Sequence, residues 1–149
     1  MDWIVRQAVL EDRETVFPLV VEFVTSFKPQ QSAFDASFAR LIVQDSTCFL
    51  VAVQDTQIMG YCLGFTHDTF YANGPVAWVE EIMVQEAFRR HGVGEKMMQT
   101  FEEWAASRGA SLVALATRRA SAFYTALGYE DSAVYFRKIL PRSDDDSTR

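Results

Sequence analysis

The chain has 149 residues, a formal net charge of −6 and a hydrophobic content of 49%. This length suits one domain of ordinary size, and a mean hydropathy of −0.03 predicts a soluble globular protein. No apolar run reaches the roughly 18 residues of a membrane span, and the start of the chain lacks the basic region of a signal peptide. We expect a cytoplasmic protein with neither a membrane nor nucleic acid as partner, because a nucleic-acid-binding face would be basic.

The two cysteines, Cys48 and Cys62, lie in apolar runs without the spacing of a zinc site. We expect them to be reduced core residues, and we expect no metal. Residues 1–141 are predicted to form a single domain. Residues 142–149 contain part of the acidic excess and little to bury, so they are predicted to form a disordered tail.

The first third of the chain predicts one strand followed by two helices. Residues 2–9 form the strand, and the acidic residues 11–14 begin a helix with apolar side chains at helical spacing. Residues 28–31 interrupt this pattern, and a second helix begins at about Ser32.

Three strands and a βαβ unit are predicted next. Residues 47–53 and 58–66 are apolar strands joined by a polar turn, which predicts an antiparallel hairpin, and residues 76–84 form another strand. A helix is predicted from Gly92 to about residue 107. The apolar run 112–116 then suits a buried strand parallel to the one before the helix.

The last predicted elements are a helix and a strand. The helix covers about residues 119–127 and ends at Gly128. The strand extends from Tyr129 to Leu140 and closes the sheet before Pro141.

The most informative stretch lies just before the helix at Gly92. Arg89, Arg90 and His91 form a basic turn, and Gly92 and Gly94 open the helix. Glycines let the backbone approach a ligand closely, and the N–H groups of a helix N-terminus attract anions. This loop is therefore predicted to bind an anion, most suitably a phosphate or pyrophosphate.

Two common nucleotide motifs do not fit this loop. A dinucleotide fingerprint needs a third glycine where Met97 stands. A P-loop ends in Gly-Lys-Ser/Thr, whereas Gly94 is followed by Glu95 and Lys96.

The spacing Arg89-x-x-Gly92-x-Gly94 resembles the pyrophosphate-binding motif of the GNAT superfamily, the acetyl-coenzyme A dependent N-acetyltransferases. The earlier segment Trp78-Val79-Glu80-Glu81-Ile82-Met83-Val84 and the later Ala120-x-x-Phe123-Tyr124-x-x-Leu127-Gly128-Tyr129 are also similar to that family, in the same order. The resemblance covers nearly the whole chain. It implies an α/β (α+β) fold, in which a mixed, mostly antiparallel sheet contains one parallel, splayed strand pair and has flanking helices.

The resemblance implies that acetyl-coenzyme A is the acetyl donor. Its pantetheine arm would lie between the splayed strands and bind backbone groups of Ile82, Met83 and Val84. Its pyrophosphate would bind the loop, where Arg89 and Arg90 add charge and the backbone N–H groups belong to Arg90, His91, Gly92, Val93 and Gly94. Thr117 stands where many relatives carry an asparagine, which leaves a side-chain hydrogen bond to coenzyme A open.

Glu80 and Glu81 interrupt an otherwise apolar strand, where a carboxylate is costly unless it is paired, at an edge or functional. Strand alternation predicts that their side chains point to opposite faces. The resemblance favours Glu80 as the group that deprotonates the amine, with Glu81 as the second choice. The alternative is that both form ion pairs with neighbouring strands.

Tyr124 would be interpreted as a packing residue from the helical pattern alone. In the matching family motif this tyrosine commonly points its hydroxyl at the sulfur of coenzyme A and acts as the general acid. We therefore expect Tyr124 to protonate the thiolate leaving group.

The short segment between Gly128 and Leu140 departs from the family pattern. The usual last hairpin would be reduced to one long strand, Ala133–Leu140, and a second subunit would complete that edge. A homodimer is expected on this ground.

The acceptor is not encoded in these motifs. The acidic balance favours a small cationic amine, and polyamines, aminoglycoside-like compounds, amino acids and protein amines are all open. The alternative from another class is a coenzyme A-binding regulatory module without turnover.

Overall fold

The computed structural model describes residues 2–23 and 27–142. These residues belong to two compact units, of which the larger ends at Leu115 and the smaller begins at Ala116. Residues 143–149, where most of the tail is predicted, lie outside the described residues.

The larger unit consists of a sheet with flanking helices. Its described strands are β1 (Trp3–Gln7), β2 (Thr47–Gln54), β3 (Gln57–Thr69), β4 (Gly74–Val84) and β5 (Val113–Leu115). Its described helices are α1 (Arg13–Phe23), α2 (Gln31–Leu41) and α3 (Val93–Ser107), with short 3₁₀ turns at Leu10–Asp12 and Glu86–Phe88. The order and type of these elements agree with the sequence prediction.

The strands lie in the sheet in chain order, β1-β2-β3-β4-β5. The first three pairings are antiparallel, and β4 pairs with β5 in parallel, so the predicted βαβ unit around α3 is confirmed. This is the predicted fold class, a mostly antiparallel mixed sheet with one parallel pair.

One face of the sheet packs against α3. The buried side chains of that helix recur at helical spacing, at Val93, Met97, Met98, Phe101 and Ala105. Gly64 of β3 allows the close approach, because a Cβ there would collide with the ring of Phe101 and the carbonyl oxygen of Trp78.

The other face packs against α1 and α2. A hydrophobic cluster fills this space and consists of Val16, Leu19, Phe38, Phe49, Val51, Ile58, Tyr61 and Met83. Aromatic rings dominate the helix side, where Phe38 and Phe49 meet edge to face with centroids 5.1 Å apart.

The pairing of β3 with β4 contains a β-bulge. Leu63 lies opposite Glu81 and Gly64 lies opposite Val79, so Glu80 is an extra residue without a partner on β3. A bulge of this kind re-aims the side chains on the bulged strand.

The smaller unit contains the helix α4 (Ser121–Ala126), and Gly128 follows it with the positive φ of +95° expected at a helix end. The prediction of a strand over Tyr129–Leu140 is wrong, since residues 129–142 form neither helix nor strand. Val134 and Phe136 are 81% and 87% exposed. The segment has strand-forming residues, but a strand also needs a partner for its backbone hydrogen bonds, and residues 129–142 belong to no strand pair among the described residues.

Cys48 and Cys62 are free and buried, as the sequence predicted. Burial raises the pKa of the Cys48 thiol to about 12 and also raises that of Cys62, so both remain protonated near neutral pH. In the part of the chain that the structure describes, every helix is too short or too polar to cross a bilayer.

Candidate active site

Strand β4 pairs with β5 along only part of its length, because β5 is three residues long. The parallel pairing covers Ala77 to Val79 on β4 and ends at Leu115 on β5. Residues Glu80–Val84 continue β4 past this point without a β5 residue opposite them in the described chain. In the described chain β5 does not bind their backbone groups on that side, and the carbonyl oxygen of Val84 accepts a hydrogen bond from Arg89.

The loop after β4 has the backbone of an anion site. Gly92 precedes α3 with φ of +82°, and a Cβ at Gly92 would meet nothing within 4 Å. The first α-helical hydrogen bond runs from Lys96 N–H to the carbonyl oxygen of Gly92, at 3.0 Å. The N–H groups of Val93, Gly94 and Glu95 therefore have no acceptor within the helix and face outwards.

Arg90, in the same loop, has a positive φ of +67° although it is not glycine. This conformation is strained for a residue with a Cβ. Arg90 and the adjacent His91 are exposed. With this backbone conformation the chain turns at Arg90 and reaches Gly92, which precedes α3. The side chains of Arg90 and His91 are exposed to solvent close in sequence to the N–H groups at the start of the helix.

Arg89 connects the loop to its neighbours. Its Nε donates a hydrogen bond to the carbonyl oxygen of Val84 at 3.0 Å. Its guanidinium also lies 3.9 Å from the carboxylate of Glu22 on α1. The sequence predicted charge at this position but gave no sign that Arg89 also anchors the loop to the end of β4.

Glu80 and Glu81 have different surroundings. Glu80 is exposed at the bulge, one residue past the last β5 pair. Glu81 is partly buried, and its Oε1 accepts a hydrogen bond of 2.8 Å from the hydroxyl of Tyr61. Burial raises the pKa of Glu81, the bond from Tyr61 partly offsets this, and the charge of Glu80 adds to the rise.

The bulge removes the basis for placing the two carboxylates on opposite faces. Val79 lies opposite Gly64, which faces α3. Regular alternation would turn Glu81 to that same side. Instead Glu81 lies opposite Leu63 and binds Tyr61, both of which pack on the α1 and α2 side.

Tyr61 was not identified from the sequence. It is 1% exposed, and burial is the main reason that the pKa of its hydroxyl is raised. The available signal was a tyrosine in a continuous apolar strand, because a buried hydroxyl needs a hydrogen-bond partner.

The apolar residues of the candidate site contribute their side chains to the core. Met83 is 8% exposed and Val93 is 1% exposed. Ile82 and Val84 are partly buried.

The predicted site residues of the smaller unit are Tyr124 and Thr117. Tyr124 is buried on α4, with its ring near those of Phe123 and Tyr129, at 5.0 and 5.9 Å. The hydroxyl of Thr117 accepts a hydrogen bond from the Ala120 N–H at 3.1 Å. Thr117 therefore stabilises the turn that leads into α4.

Comparison with known proteins agrees with this architecture. Residues 7–129 match the model of the Acetyltransferase (GNAT) family. An aminoglycoside N(6')-acetyltransferase type 1 from Acinetobacter genomosp. 13 is 36% identical over 111 residues, which cover 68% of this chain and 76% of the relative.

Two further similarities extend over most of the chain. An aminoalkylphosphonate N-acetyltransferase from Salmonella typhimurium is 28% identical over 140 residues, covering 91% of this chain and 90% of the relative. The solved structure of AAC(6')-Iy in complex with the bisubstrate analogue CoA-S-monomethyl-acetylneamine has a TM-score of 0.79 and 21% identity, and the match covers 94% of this chain and 100% of that one.

Proposed function

The chain belongs to the GNAT acetyltransferase family, whose members are acetyl-coenzyme A dependent acyltransferases, and we propose that it acetylates the primary amine of a small cationic molecule. The observation that carries this proposal is that β4 continues from Glu80 to Val84 without a β5 partner in the described chain and then leads, through a short 3₁₀ turn, to the glycine loop at the start of α3. A strand edge without a partner and a helix N-terminus with free N–H groups suit the two parts of coenzyme A, its amide-containing arm and its pyrophosphate.

The donor would bind along this path. Backbone groups of Ile82, Met83 and Val84 would bind the pantetheine arm, apart from the Val84 carbonyl oxygen, which accepts the hydrogen bond from Arg89. The N–H groups of residues 90–94 would bind the pyrophosphate, with Arg90 supplying charge and Arg89 fixing the loop. The open space at Gly92 supports this assignment, because a ligand can approach the backbone there.

The reaction would proceed by direct attack in a ternary complex. The amine nitrogen attacks the thioester carbonyl, its proton passes to Glu80, and the thiolate leaves and takes a proton from Tyr124. Support for Glu80 is its exposure at the point where β4 and β5 part. Cys48 and Cys62 are buried thiols with raised pKa values, so neither suits an acyl-enzyme step.

A small cationic amine is the proposed acceptor. Two carboxylates, Glu80 and Glu81, lie next to each other in β4, and the chain has a net charge of −6. Such a field attracts amines that carry positive charge. The relatives named for aminoglycosides and aminoalkylphosphonates support a small molecule over a protein amine, which stays the alternative together with a non-catalytic coenzyme A-binding module.

The proposal is tested by thiol release from acetyl-coenzyme A in the presence of polyamines, aminoglycosides, aminoalkylphosphonates, amino acids and peptides. We expect amine-dependent release with at least one small cationic amine and none without an amine. Glu80→Gln should lower kcat by about 10²- to 10⁴-fold, the usual contribution of a general base. Coenzyme A binding without turnover of any amine would favour the regulatory module, and turnover of peptides alone would favour a protein acetyltransferase.

We also propose that the protein is a homodimer. Residues 133–140 are exposed and include large apolar side chains, at Val134, Tyr135, Phe136, Ile139 and Leu140. Two basic residues, Arg137 and Lys138, interrupt this segment, but so many exposed apolar side chains within eight residues are typical of an interface. Sedimentation at micromolar concentration should give twice the 16.9 kDa chain mass, and a monomer would contradict the proposal.

A further inference from the structure

The hydrogen bond between Tyr61 and Glu81 links two neighbouring strands, β3 and β4, through their side chains. Tyr61 lies opposite Met83 in the strand pairing, and it binds Glu81, which is two residues before Met83 on β4. The hydroxyl belongs to a cluster that is otherwise entirely apolar among its buried members. A carboxylate beside such a cluster is costly to bury, so packing alone does not account for Glu81 at this place.

The ring of Tyr61 is held on two sides. Phe23 of α1 and Phe49 of β2 meet it edge to face, with centroids 6.4 and 6.2 Å away. These contacts restrict the ring, so its hydroxyl has a defined position for Glu81. Tyr61 thereby holds the carboxylate of Glu81 from the side of the sheet that faces α1.

A second contact fixes β3 and β4 at the other end of the bulge, next to Val79. Gly64 is pressed between Phe101 of α3 and the backbone of Trp78, and it lies opposite Val79. Between these two contacts, β3 spans one residue step, from Leu63 to Gly64. Over the same interval β4 spans two residue steps, from Glu81 to Val79. The extra residue in this interval is Glu80, so it has to bulge out of the ladder.

We propose that Tyr61 is a positioning residue, which holds Glu81 and so maintains the bulge that presents Glu80 to the acceptor amine. This inference rests on the proposed function, because it assigns to Tyr61 an effect on the proposed base. Tyr61 itself is 1% exposed, so we assign it no contact with either substrate. Burial raises the pKa of Glu81, and the hydrogen bond from the Tyr61 hydroxyl opposes this rise, so the bond stabilises the ionised carboxylate.

The test compares the full-length wild type with Tyr61→Phe, Glu80→Gln and the double variant. Tyr61→Phe keeps the ring contacts and removes only the hydroxyl, and Tyr71→Phe makes the same chemical change at a 75% exposed tyrosine. We expect Tyr61→Phe to lower kcat about tenfold with the KM for acetyl-coenzyme A within twofold of wild type. Tyr71→Phe should have wild-type kcat.

The double variant separates positioning from a general loss of structure. If Tyr61 acts through Glu80, the change Tyr61→Phe has no further effect on kcat in the Glu80→Gln background. Equal losses in both backgrounds would overturn the proposal. So would a wild-type kcat for Tyr61→Phe.

Substitutions at Glu81 show whether Glu81 serves as the hydrogen-bond partner of Tyr61 or is itself the general base. Glu81→Gln keeps an oxygen that accepts the bond from Tyr61, whereas Glu81→Leu does not, so the glutamine variant should have about tenfold the kcat of the leucine variant. If instead both are as slow as Glu80→Gln, Glu81 is itself the base and the proposal is wrong.

Amide hydrogen exchange supplies a readout without turnover. In Tyr61→Phe, the Glu80 and Glu81 amides should exchange about tenfold faster than in wild type, while amides in β1 and β2 should not change. Unaltered exchange at the bulge would overturn the proposal. An inactive wild type with this exchange pattern would reject the proposed function and leave the anchoring role of Tyr61 supported.

Discussion

Arg89 donates a hydrogen bond from Nε to the carbonyl oxygen of Val84, at 3.0 Å, and thereby joins the glycine loop to the last residue of β4. The proposed pantetheine path ends at Val84 and the proposed pyrophosphate loop begins at Arg89. One side chain would therefore set the spacing between the two parts of the proposed donor site. Its Nη2 group lies 3.9 Å from Glu22, which is too long and too exposed for a strong ion pair.

We expect Arg89→Ala to raise the KM for acetyl-coenzyme A by at least about tenfold, because a hydrogen bond involving a charged group contributes about 1.5–3 kcal/mol. Steady-state kinetics with saturating amine measures this change. Glu22→Gln is the matched control, since it removes only the long ion pair and should leave that KM within about twofold. A larger effect at Glu22 than at Arg89 would contradict the anchoring role.

The positive φ of Gly92 leads to a second prediction. Gly92→Ala should lower the free energy of unfolding by about 1–2 kcal/mol, because a Cβ is strained in this conformation. It should also weaken coenzyme A binding, since the added methyl group occupies the open space in front of the backbone. Thermal unfolding and calorimetric titration measure the two effects.

Gly109, at the other end of α3, provides the control for Gly92. Its φ is +80°, close to the +82° of Gly92, so Gly109→Ala introduces similar strain. We expect a similar loss of stability from Gly109→Ala with wild-type affinity for coenzyme A. Equal affinities for the two variants would remove Gly92 from the donor site.

Tyr124→Phe tests the proposed general acid. We expect kcat to fall by about 10²-fold, because protonation of the leaving thiolate is lost, and the affinity for coenzyme A to change little. A single-turnover measurement with saturating donor isolates the chemical step. An unchanged rate would exclude Tyr124 from the mechanism.

The ion pair between Arg6 and Asp12 predicts a dependence of stability on pH. Burial opposes ionisation of Asp12, but two hydrogen bonds from Arg6 and one from the Val9 amide outweigh it, so the pKa of Asp12 is lowered. A lowered carboxyl pKa stabilises the folded state above the unfolded pKa of about 3.9. This contribution is lost as the pH falls below about 4, and urea unfolding at several pH values should show the loss.

Substitution of Asp12 isolates that contribution. Asp12→Ala should lower the free energy of unfolding at pH 7 by about 2–3 kcal/mol and flatten its decline at acid pH. Asp35→Ala removes a carboxylate that is 3.6 Å from Arg13 and more exposed, so it should cost less than about 1 kcal/mol. Equal costs for the two substitutions would contradict this account.

The sequence predicted most of the elements that form the candidate site. The periodicity of residues 93–105 fixed which face of α3 is buried, and the glycine spacing predicted the open backbone at Gly92. These features depend on residues close to one another in the chain. Each is therefore visible in a short window of sequence.

The bulge at Glu80 could not be predicted in this way. It follows from two contacts between distant residues, Gly64 with Phe101 and Tyr61 with Glu81. The strand pattern alone predicts regular alternation, which sends the two carboxylates to opposite faces. The pairing register of β3 and β4 shows instead that Glu80 is an extra residue and that Glu81 lies opposite Leu63.

The sequence by itself determined the family, the element order and the glycine loop, because these are encoded in local periodicity, glycine positions and motif spacing. Only the tertiary structure decided that Glu81 binds Tyr61, that Arg89 binds Val84, and that residues 129–142 do not form a strand. The physical reason is that hydrogen-bond partners and strand register are properties of pairs of segments. A pattern within one segment specifies its tendency to form a strand, but its partner and register are fixed when the core packs.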